Sequence, residues 1–169
     1  MKRILPIILL ITFLISQFSI CLAQEKPLGK ITSSKDVIEK YFKNNTALDS
    51  IEGIWTYDMS GHSFEVAIIK NTFNIYPTWD YVAIITDKNT KLGGSKGEVK
   101  ILLKKTASPH AFKGSYFLEW FTGLGTDTEQ VSTTFIGLDN NLYEFSLPIN
   151  MNLTGLEKHH LLRIYPEAK

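Results

Sequence analysis

The chain has 169 residues, of which 44% are hydrophobic and 12% aromatic, and it carries a formal net charge of +1. A balance this close to zero leaves no basic footprint for nucleic acid. The single cysteine, Cys21, falls in an N-terminal segment that reads as removable, so disulfides, thiolate metal sites and cysteine nucleophiles are excluded from the rest.

That segment carries Lys2 and Arg3, then an apolar run from Ile4 to Ile15, then Cys21-Leu22-Ala23. A charged region, an apolar region and a small-x-small site predict a secretory signal over 1–23, cleaved after Ala23. The apolar run is too short for a membrane span and no later stretch approaches one. Lys2 and Arg3 leave with the signal and no acid does, so 18 basic residues become 16 against 17 acidic ones, a balance of −1. The roughly 146 residues left suit one domain with one ordinary core.

Residues 24–50 predict a flexible lead and one short helix. Ser33 and Ser34 can cap it, Asp36 suits its first turn, and Val37, Ile38, Tyr41 and Phe42 make one apolar stripe. Asn44-Asn45 is the expected stop. So short a helix needs a surface to lie on, and one opening of a barrel is the expected place.

From Ile51 to the end the pattern changes to period two. Expected strands run over Gly53–Asp58, His62–Lys70, Trp79–Asp87, Gly97–Lys105, Phe112–Thr122, Thr128–Ile136, Asn141–Leu147 and His159–Tyr165, separated by turns rich in Gly, Pro, Asn and Asp. In the fourth, Val99, Ile101 and Leu103 alternate with Glu98, Lys100 and Lys104, which predicts an apolar inner face and a charged outer one. The third is apolar on both faces from Tyr81 to Ile85, so its inward side is ambiguous. These runs predict an all-β domain over 51–169, an eight-stranded antiparallel up-and-down barrel. Alternation leaves a two-sheet sandwich open as the alternative.

Gly53-Ile54-Trp55 in the first strand and Arg163 in the last resemble the signature of lipocalins and related calycin barrels. The resemblance implies that Trp55 plugs one end and that Arg163 packs on its ring as a cation–π partner. Ile51–Trp55, with Val66–Lys70 and Gly97–Lys100, is also similar to a set of small exported bacterial proteins without assigned role. That likeness supports export and supplies no chemistry.

Candidate site residues follow from the inner face. Trp55, Phe64, Tyr81, Phe112, Tyr116, Trp120, Phe135, Tyr143, Phe145 and Arg163 share one interior, either as packed core or as the lining of a ligand cavity. No nucleophile–base pair, phosphate loop or cofactor motif accompanies them, and His159 and His160, adjacent on a strand, point to opposite faces. The expectation is a secreted or periplasmic, non-enzymatic barrel for a small, mainly hydrophobic ligand, with no cofactor and no metal. The alternative is an envelope module that binds protein or glycan through Phe73, Tyr76, Trp79 and the two-faced Tyr81–Ile85 segment.

Overall fold

The computed structural model describes residues 33–166 apart from 60, 73–75, 92–93, 123–124 and 150–154, with backbone alone at 120–122 and 125–127. The expected signal over 1–23, the lead over 24–32, Phe73 and the Trp120 side chain lie outside the described residues.

Eight strands follow one another: β1 (Gly53–Met59), β2 (His62–Lys70), β3 (Tyr81–Lys88), β4 (Val99–Lys105), β5 (Ala111–Thr122), β6 (Gly125–Asp139), β7 (Leu142–Pro148) and β8 (Leu156–Tyr165). Each pairs antiparallel with the next, and β8 returns to β1, so the sheet is a closed up-and-down barrel and not a sandwich. It fits a lipocalin-like fold. Among the described residues no helix is long and apolar enough to cross a membrane.

Closure explains the glycine of the Gly-x-Trp. The β1–β8 ladder aligns Ile54 with Tyr165 and Trp55 with Arg163. A Cβ on Gly53 would sit 2.3 Å from the Tyr165 carbonyl oxygen, a backbone atom that cannot swing aside. Gly114 serves packing in a similar way, because a Cβ there would meet the Phe135 ring at 2.3 Å.

Period-two alternation sorts the apolar residues into two cores. The inner one holds Trp55, Tyr57, Phe64, Tyr81, Phe112, Tyr116, Phe135, Tyr143 and Phe145 with aliphatic residues between them. The outer one lies on the opposite face of β1 to β4 and contains Ile54, Ala67, Ile69, Val82, Ile84 and Leu102. Helix α1 (Ser34–Lys40) covers this outer face with Val37, and the 3-10 turn after it (Phe42–Asn44) adds Phe42.

The helix therefore does not stand against an opening, as the sequence suggests, but on the barrel wall. The two-faced β3 gives the reason. Tyr81, Ala83 and Ile85 already fill the inside, and Val82 and Ile84 would face water without α1. Ser33 caps the helix by accepting from the Asp36 amide at 3.3 Å. Polar ties fix its seat: Tyr41 donates to the buried Glu52 carboxylate, and Ser34 donates to Glu65.

Two substitutions check this architecture. Gly53→Ala is expected to destabilise the fold by about 1–3 kcal/mol, because the added methyl overpacks the closing ladder. Phe42→Ala is expected to lower stability by about 3 kcal/mol through lost burial of the outer core. Both are read from urea melts.

Candidate functional site

At the closed end, Trp55 is fully buried and donates its indole N–H to the Ile51 carbonyl at 2.9 Å. The Arg163 guanidinium lies over the indole with its central carbon 4.3 Å from the ring centroid. Its nitrogens donate to three carbonyls, those of Asn140 at 2.8 Å, Glu52 at 3.0 Å and Ser50. Burial pushes this guanidinium below its ordinary pKa. One side chain thus ties β8, the chain leading into β1 and the β6–β7 turn around a single plug.

Above the plug, the expected aromatic set other than Trp120 comes together. Trp55, Tyr143, Phe112 and Tyr81 form a lower tier, linked ring to ring at centroid separations of 5.4, 5.9 and 5.8 Å. An upper tier joins Phe145 to Phe135 at 4.6 Å, to Tyr57 at 5.8 Å and to Tyr116 at 6.0 Å. Phe64 stacks on Tyr57 at 5.2 Å. At these separations the rings are in mutual contact, so most of the set serves as core. Tyr57, outside the expected set, belongs to it: its hydroxyl meets that of Tyr116 at 2.7 Å inside the barrel. Burial raises both phenols above their ordinary pKa.

Another polar feature of the upper tier is Lys100. Expected on the outer face, it is 2% exposed, with its ammonium 4.9 Å from the centroid of Tyr116 and 5.4 Å from that of Phe64. A β-bulge explains the reversal. Ala83 pairs with Ile101 and Ile84 with Val99, so Lys100 is the extra residue. A bulge shifts the phase of alternation. Val99 consequently packs with the outer core while Lys100 reaches the inner rings. Among the described residues the Lys100 ammonium has no hydrogen-bond acceptor and no ion-pair partner. Burial lowers its pKa from 10.5 to about 8, opposed first by Glu119, reinforced by Lys88 and opposed less by Glu98.

The wall beside Lys100 is open. Pairing of β4 with β5 stops at Ile101↔Tyr116, whereas β5 runs on with β6 to Thr122. A pocket of about 240 Å³ occupies the divergence, lined by Tyr76, Val99, Phe117, Lys100, Glu98 and Glu119 among others. Tyr76 and Trp79, read from the sequence as part of a docking loop, are half-buried and pack against the outer core. A second pocket of about 230 Å³ lies at the closed end, between Asp49, Tyr81, Lys105 and Phe112. Its charges are satisfied: Asp49 accepts from Tyr81 at 2.6 Å and pairs with Lys105 at 3.2 Å, and these two partners hold its carboxyl below the usual range.

His159 is buried beside Phe145 and His160 is exposed, so the two do face opposite ways. Among the described residues no cluster of three or more His, Cys, Asp or Glu could hold a metal ion.

A family model described as a family of unknown function (DUF6705) matches residues 1–86. No curated protein and no solved structure matches the chain.

The buried ammonium has a thermodynamic signature. Folded, Lys100 releases its proton near pH 8; unfolded, it does so near 10.5. Between those values the unfolded chain binds the extra proton, so stability gains as pH rises through that window, and below it the buried charge is a penalty. Lys100→Met is therefore expected to be more stable than the parent at pH 7, with the gap narrowing at pH 9.5. Urea melts at both values check this, and a constant gap would contradict it.

Proposed function

We propose that this protein, which belongs to the DUF6705 family of unknown function, is an exported, non-enzymatic binding barrel for a small, mainly apolar molecule. The carrying observation is the β4–β5 cleft, a pocket of about 240 Å³ lined by Lys100, whose unpartnered ammonium lies over the interior rings of Phe64 and Tyr116. A buried charge without a partner destabilises a fold, and such groups gather where something binds.

The ring tiers below the cleft support a ligand at the upper side rather than one threaded through the interior. Val99, Phe117 and Tyr76 offer apolar contact, and the hydroxyls and charges set orientation. The signal pattern over 1–23 supports work in the periplasm or outside the cell. The lipocalin-like closure around Trp55 supports the same class, since barrels of eight strands hold at most one small ligand.

An interaction module of the cell envelope is the second reading, favoured by exposed Ile136, Leu138, Leu162 and Ile164 on the outer face of β6 and β8.

Native mass spectrometry of the protein purified from its own host is expected to find a co-purifying apolar molecule. Added 1-octanol is expected to shift the NMR signals of Val99, Tyr116 and Phe117 before others. A bare mass together with no response to 1-octanol would overturn the proposal.

A further inference from the structure

We propose that the cleft takes carbonyl compounds, aldehydes or ketones with an apolar tail, and that Lys100 holds them covalently as an imine. This rests on the binding reading above and names the ligand's reactive end.

Lys100 is the one lysine that is buried among the described residues. Other lysines are engaged at the surface: Lys43 with Glu39, Lys70 with Asp49 and Glu52, Lys96 with Asp87, Lys158 with Glu144. Lys88 donates to the Gly94 carbonyl. An amine among aromatic rings, with no acceptor to stabilise its ammonium, is the environment that activates a lysine as a nucleophile. The lowered pKa agrees with that geometry.

The neighbours decide between a carbonyl and an anion. Glu98 and Glu119 line the same pocket, and their carboxylate oxygens lie 3.0 and 3.7 Å from where a Cβ of Gly94 would stand. Lys88, which donates to the Gly94 carbonyl beside that pair, and Lys100 offset the two carboxylates, so a carboxylate headgroup finds no net positive charge there and a neutral carbonyl needs none. The pair also suits the chemistry. The ammonium passes a proton to a carboxylate or water, and the amine lone pair attacks the carbonyl carbon. The C–N bond forms and the oxygen takes up a proton. That oxygen then leaves as water as the C=N bond forms, with a proton returned from the carboxylic acid. One ammonium and one carbonyl give one protonated imine and one water, without oxidant or reductant.

The test uses the full mature chain with octanal and sodium cyanoborohydride at pH 7, followed by peptide mass spectrometry. The expected result is reductive labelling of Lys100 at least about tenfold faster than of any other lysine, because its free-amine fraction is larger. The label should be suppressed by excess 1-octanol and lost in Lys100→Arg. Labelling spread over surface lysines, unchanged in Lys100→Arg, overturns the inference. If 1-octanol still binds in that case, the binding reading stands and the imine alone falls; if it does not, both fall. Octanoate bound more tightly than 1-octanol, with no preferred labelling of Lys100, would assign the cleft to anions and likewise overturn the imine.

Discussion

The barrel depends on the stacking of Arg163 on Trp55. An eight-stranded sheet closes only if its first and last strands meet in one register, and the clasp sits in that seam. Trp55 projects inward from β1 and Arg163 from β8, with 4.3 Å between ring centroid and guanidinium carbon. The guanidinium also donates to three carbonyls at the floor, those of Asn140, Glu52 and Ser50, of which the Glu52 contact is partly buried. Gly53 is the complement of this contact, since β8 passes where its side chain would be. Floor, closure and the lower aromatic tier are one structure.

From that seam the rest follows by alternation. Residues in phase with Trp55 fill the inside; those out of phase reach water or the outer core. The chain uses its own helix to cover the apolar side of β2 and β3, which makes the N-terminal element part of the wall and leaves the barrel's upper side uncovered by it. The β4–β5 divergence lies at that upper side. The aromatic tiers fill the interior, and the wall is interrupted where β4 parts from β5 beside Lys100.

Much of this was legible in the residues. The strand count, Trp55 with Arg163 and the inward rings followed from period two and a short motif, because these features repeat along the chain and reinforce one another. The position of α1 was not, although its stripe was clear: a helical stripe says that something is covered and not what. The outward Val82 and Ile84 were the clue, read as an ambiguity of β3. Lys100 escaped for a different reason. Strict alternation sets it outside, and a single bulge, which has no reliable sequence mark, moves it in. The consecutive apolar residues Ile101, Leu102 and Leu103 show only that this strand is buried on both faces.

The clasp can be tested by itself with a double-mutant cycle on Trp55→Phe and Arg163→Met, measured by urea unfolding. If the two groups hold the barrel shut through each other, the double variant should lose less than the sum of the single losses, with a coupling of about 0.5–3 kcal/mol. Losses that simply add would mean that the indole and the guanidinium act independently, and the closure described here would have another cause.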